Sequence, residues 1–104
     1  MAKYLLLFSG GSMPEGEAAQ AEVMKAWEAW FTELGPAVAD AGNPFTPAAK
    51  KISSRGSVSD TAASASGYSV IEADSLDTAT KLASGCPVLQ GGADITVYET
   101  FEVM

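Results

Sequence analysis

The sequence predicts an α+β fold in which two helices cover one face of an antiparallel sheet, with elements in the order β-α-β-β-α-β. Three observations carry that prediction. "KYLLLF" is apolar at every position from Tyr4 to Phe8, so an extended segment there is apolar on both faces. Val23, Trp27, Trp30, Phe31, Leu34 and Val38 then recur at the three-, four- and seven-residue spacings of one helix face. "SGYSVIEADSLDTATKLASGCPVLQGGADITVYE", Ser66 to Glu99, reads as strand, helix and strand, with a cysteine-proline turn and a glycine pair between the last two.

Tyr4, Leu6 and Phe8 point one way from the first strand and Leu5 and Leu7 the other, which marks a central strand covered on both sides. "SGGSMPEGE" is the loop that follows. Glu15, Glu17 and Glu22 crowd the opening of the first helix, where they suit the positive end of its dipole. Gly35-Pro36 is expected to kink or interrupt that helix near its end, and "DAGNPFTP" closes it with turn residues. The middle of the chain is rich in serine, alanine and glycine, with Ile52 and Val58 as its large apolar anchors. It is read as an exposed edge strand near Lys50 to Arg55, a turn at Gly56 and a mobile tail. β-favouring residues return from Tyr68 to Ala73. Asp74 and Asp77 bracket the next helix start, Leu76, Ala79, Leu82 and Ala83 form its buried side, and Gly85 with Pro87 stops it. Ile95, Val97 and "YETFEV" make the last strand. This is the ferredoxin-like order. It leaves one sheet face without helices, and a second copy covering that face is the expected solution.

Residues 1–104 offer room for one core and are read as a single domain. With 13 acidic against 6 basic residues, the net charge of -7 repels phosphate backbones and anionic lipid, so neither nucleic acid nor membrane is an expected partner. The run from Tyr4 to Phe8 is shorter than the apolar region of an export signal. With Cys86 as the one cysteine, no disulfide forms within the chain, and a cytoplasmic location is expected.

The Gly67-Tyr68 start of a strand, "EADSLDTA" opening a helix, "GCPVL" closing it and "GGADITVYE" beyond it resemble the C-terminal half of the YCII-related family, including its DGPF-type members. "KYLLLFSG", "AWEAWF" and "DAGNPF" resemble the same family more loosely, so the similarity spans nearly the whole chain. The resemblance implies a ferredoxin-like subunit of a dimeric α+β barrel, in which two sheet faces meet. The fold group hosts enzymes and plain binding proteins alike, so the resemblance implies little about activity. Two departures bear on chemistry: the chain has no histidine, and "SDTA" around Asp60 stands where the Asp-Gly-Pro-Phe motif would be.

Without histidine, no Ser-His-Asp or Cys-His arrangement can be built and the commonest transition-metal ligand is missing, so no metal and no cofactor is expected. Cys86, with no base near it in sequence, is read as a packing residue. "FSGGSMPEGE" lacks the Gly-Lys-Ser/Thr ending of a phosphate loop and is read as a connection. Trp27, Trp30 and Phe31 either pack the first helix on the sheet or line an apolar ligand cleft beside it, closed by the Ser53 to Ser66 stretch as a lid. Both hold if one end of the cluster opens. Asp60, Glu99 and Tyr68 are the candidate acid, base or proton-carrying groups. Two functions fit this pattern. One is a homodimeric module that binds a small molecule, or assists another protein, without a cofactor of its own. The other is a cofactor-independent enzyme acting on a small apolar or aromatic substrate with a carboxylate and a tyrosine.

Overall fold

The apolar alternation of the first strand decides how the layers stack. In the computed structural model, which describes residues 1–62 and 64–103, β1 (Ala2–Gly10) buries Tyr4, Leu6 and Phe8 while Leu5 and Leu7 stay half-buried. After β1 come α1 (Glu17–Leu34), β2 (Val38–Asp40), β3 (Ala48–Ile52), β4 (Val58–Ala62), β5 (Ala65–Ala73), α2 (Leu76–Ala83) and β6 (Ala93–Glu99). β1 and β5 are the inner strands of a four-stranded antiparallel sheet of order β2-β5-β1-β6. Tyr4, Leu6, Phe8, Ile71 and Ala73 on one sheet face meet Trp30 and Leu34 of α1 and Ala79 and Ala83 of α2. This is a ferredoxin-like α+β fold with its core between the sheet and the two helices.

Several elements depart from expectation. Val38 does not continue the first helix. α1 stops at Leu34 because Gly35 takes φ 56° and Pro36 supplies no amide hydrogen, and a short turn at Gly35–Ala37 leads into β2. β2 is therefore the edge strand of the main sheet, a place the sequence reading assigned to Lys50–Arg55. That segment and its supposed mobile tail instead form a separate hairpin, in which β3 pairs with β4 from Ala48↔Ala62 to Ile52↔Val58. Ala63, inside the expected lid, lies outside the described residues.

The cap of α2 is Ser75 and not an aspartate: its hydroxyl accepts from the Thr78 amide at 3.1 Å. Leu76, expected on the buried side, is 44 % exposed. Ile95 and Val97 pack toward the helices, so they do not belong to the open face. β6 ends at Glu99 rather than running on through "YETFEV". Thr100 leaves the strand with both its amide and its hydroxyl bonded to Lys3 O, at 3.0 and 2.6 Å, and Phe101 beyond it is 82 % exposed.

Candidate functional site

The sheet face without helices is built from alternate residues of the inner strands and β6. Cross-strand partners share a face, and the register places Leu5 between Val70 and Tyr98 and Leu7 between Tyr68 and Thr96. Lys3 opposite Glu72, and Ser9 opposite Asp94, form the polar ends of this surface.

One corner of it is assembled by the "DAGNPF" loop that leaves β2. Asp40 Oδ1 accepts from the Gly42 amide at 2.8 Å, a local turn typical of aspartate. Three bonds then fasten the loop along β5: Ser69 Oγ donates to Ala41 O at 2.7 Å, Tyr68 N to Asn43 O at 3.3 Å, and Phe45 N to Ser66 O at 2.8 Å. Gly42 makes this approach possible, since at φ +76° a Cβ there would stand 1.7 Å from Tyr68 O. The loop thereby delivers two side chains to Tyr68. Its hydroxyl donates to Asp40 Oδ2 at 3.4 Å, and its ring stacks on Phe45 with centroids 5.9 Å apart and planes inclined by 26°. Phe45 is 44 % exposed, so a ring remains open to a ligand beside a phenol and a carboxylate. Phe45, Thr46, Ser64 and Ala65 also border two open depressions of about 310 and 410 Å³ at the foot of the β3–β4 hairpin.

The three candidate polar residues are not brought together. Tyr68 lies in the corner just described. Asp60 stands out on the hairpin, paired with Lys50 Nζ at 2.8 Å, with both side chains largely in water. Glu99 is opposite Tyr4 at the end of β6 and thus on the helix side of the sheet. Burial, with added repulsion from Glu99 and Asp74, raises the Tyr4 phenol above its ordinary pKa. Asp40 and Phe45 were missed from sequence. The available signal was the turn-rich "DAGNPF" itself, read as a helix end instead of a side-chain carrier.

Trp30 is 4 % exposed, and its indole nitrogen donates to Leu82 O at 3.1 Å, tying α1 to α2. Trp27 and Phe31 are half-buried around it, with ring centroids 5.1 to 5.8 Å apart across the cluster and Phe8 on its edge at 5.8 Å from Trp27. Cys86 is buried in the core, and burial pushes its thiol up to about 11, against the weaker opposing effect of a backbone bond from Val88. It stays protonated at neutral pH and is a poor nucleophile. Among the described residues no three His, Cys, Asp or Glu side chains gather as a metal site, and no helix is long and apolar enough to cross a membrane.

These features define a ferredoxin-like α+β protein with a one-sided sheet and an aromatic-carboxylate corner on the open side. A similar solved structure is the 5-chloro-2-hydroxyhydroquinone dehydrochlorinase TftG from Burkholderia phenoliruptrix AC1100, in complex with 2,5-dihydroxybenzoquinone. It superimposes with a TM-score of 0.55 over 95 % of this chain and 93 % of that one, at 16 % identity, so what the two share is the fold. No family model and no curated protein matches the chain.

Proposed function

We propose that this chain is a YCII-related protein, a single domain over residues 1–104, acting in the cytoplasm as a homodimer that binds a small aromatic molecule without a cofactor of its own. Two open sheet faces close on each other as a dimeric α+β barrel, and the ligand lies at the corner of Tyr68, Asp40 and Phe45. The observation that carries this reading is the placement of that corner. An exposed ring, a phenol and a carboxylate converge on the one sheet face that no helix covers. A flat hydroxylated ring stacks on Phe45 and exchanges hydrogen bonds with the Tyr68–Asp40 pair. In this reading Trp27, Trp30 and Phe31 pack α1 and do not line the ligand site.

Light scattering tests the dimer, whose mass is twice the 10.7 kDa of the chain. Calorimetric titration with 2,5-dihydroxybenzoquinone tests the corner. Saturable binding that weakens roughly tenfold in Phe45→Ala supports the site. A monomeric mass, or binding unaffected by Phe45→Ala, refutes the corresponding half of the reading.

The second reading, a cofactor-independent enzyme, draws on the hydrogen bond from the Tyr68 hydroxyl to Asp40, which aligns a proton donor with a carboxylate. It draws also on the dehydrochlorinase activity named for the structural neighbour. Chloride release from a chlorinated hydroquinone, abolished in Tyr68→Phe, would favour it over the binding module.

A further inference from the structure

The hairpin from Ala48 to Ala62 stands apart from the core. Its strands pair with each other in a sheet of their own. The turn is nonetheless well made: Ser53 N donates to Ser57 O at 2.8 Å, Gly56 N to Ser53 O at 2.9 Å and Ser57 N to Ser53 Oγ at 3.1 Å. A two-stranded ribbon with no layer against it is at best marginally stable in water. Next to this turn, directly opposite each other, Ile52 and Val58 are 70 % and 61 % exposed. The hairpin is thus a projection carrying an apolar pair that its own subunit leaves uncovered.

Its charge runs against that of the rest of the molecule. Lys50, Lys51 and Arg55 are half of the chain's basic residues, and Asp60 is one of its 13 acidic ones, so the hairpin carries +2 and the remainder -9. Lys50 is engaged by Asp60, whereas Lys51 and Arg55 have no ion-pair partner among the described residues. A strand of nucleic acid would meet the hairpin only by approaching a body that repels it. An acidic protein surface with room for two aliphatic side chains suits it better. The body of this same chain, at -9, is acidic, and its open sheet face, which the barrel reading already turns toward a second copy, carries Glu72 and Asp94 beside the apolar Leu5, Leu7 and Val70.

We infer that Ala48–Ala62 is an intersubunit arm, which lies on the acidic body of a second copy of this chain and seats Ile52 and Val58 there. The inference rests on the homodimer proposed above and adds to it a clasp whose strength depends on salt. Docking gives the two-stranded ribbon the layer it lacks within its own subunit.

Sedimentation equilibrium on the full chain tests it with three variants: Lys51→Glu/Arg55→Glu, Ile52→Ser/Val58→Ser, and Leu7→Asp on the open face. Both arm variants are expected to raise the dimer Kd roughly tenfold or more. The deficit of the charge variant should fade as salt approaches about 1 M, where screening acts within about 3 Å, while that of the Ser variant should persist. If Leu7→Asp dissociates the dimer and both arm variants keep the wild-type Kd at every salt concentration, the barrel reading stands and the arm is overturned. A wild-type protein that is monomeric throughout overturns both.

Discussion

Gly42→Ala tests the corner at its tightest point. A Cβ at residue 42 would lie 1.7 Å from Tyr68 O and 2.6 Å from Tyr68 C, where ordinary contact begins at 3.4 Å. Backbone atoms of β5, an inner strand held on both sides, cannot give way, so the loop has to retreat. Retreat on that scale breaks the three bonds from Ser69, Tyr68 and Phe45, each contributing about 1 kcal/mol net. The expected loss is therefore about 3 kcal/mol, a large part of the ~5–15 kcal/mol of a typical domain. Urea unfolding followed by tryptophan emission measures it, because Trp30 is buried in the native state and hydrated on unfolding. Hydrogen exchange at the Tyr68 amide, which now bonds to Asn43 O, shows whether the loop has lifted while the remainder stays folded. A loss below about 1 kcal/mol with the Tyr68 amide still protected would refute the claim that Gly42 is required for the loop to dock on β5.

Two further expectations follow from named atoms. Ser75→Ala removes the acceptor of the Thr78 amide and should cost about 1 kcal/mol in the same unfolding assay, with Ser75→Asp restoring most of it. For Cys86, a thiol-specific reagent at pH 8 should react slowly with native protein and promptly in denaturant, since burial holds the folded thiol near 11. The unfolded thiol ionises first, near 9.0, so Cys86 contributes full stability below that pH and loses it as pH rises toward 11. Cys86→Ala should therefore flatten the alkaline fall in stability between those values, and an unchanged slope would contradict the buried placement.

The inner strands and both helices were legible because their patterns are long and strong. Five apolar residues from Tyr4 to Phe8 mark an inner strand, although only its Tyr4, Leu6 and Phe8 side is covered while Leu5 and Leu7 stay half-buried, and the spacing of Trp27, Trp30, Phe31 and Leu34 has one helical solution. The edge strand was not legible because β2 is three residues long and follows Gly35-Pro36 without a pattern of its own. Its assignment depends on pairing with Ile71 and Val70, a tertiary fact. Of the arm, an exposed strand near Lys50 and the turn at Gly56 were legible, whereas its second strand, Val58–Ala62, was read as a tail. Small and polar side chains on a strand without a covering layer leave no alternation to read. The candidate site followed the same division. Tyr68 lay in a readable strand, whereas Asp40 and Phe45 reach it through backbone bonds from a loop whose path depends on the missing side chain of Gly42.

The flat shape of the chain connects the open face with the projecting arm. A compact chain of this length has a radius of gyration near 13 Å. This one has 15.3 Å, in an outline of 44 × 38 × 17 Å. The short dimension is one sheet plus one helix layer, and the long ones include an arm that touches little of its own subunit. Such a slab buries less apolar surface per residue than a rounded domain, and small domains have little stability to spare. Leu5, Leu7, Val70 and the Tyr68 and Tyr98 rings lie together on the uncovered side. Pairing two slabs through those faces converts two single-sided sheets into one core of ordinary thickness, since facing sheets pack about 10 Å apart. It also moves the Tyr68–Asp40–Phe45 corner from an exposed edge to the rim of an enclosed space. There a hydrogen bond between a phenol and a carboxylate strengthens, because less water competes for either group. On this reasoning ligand affinity at the corner tracks dimerisation. Tyr98→Asp, on the β6 side of the open face and farthest from Asp40 on β2, should weaken 2,5-dihydroxybenzoquinone binding in step with the loss of dimer mass. Undiminished binding by a monomeric Tyr98→Asp protein would show that each slab completes the site alone.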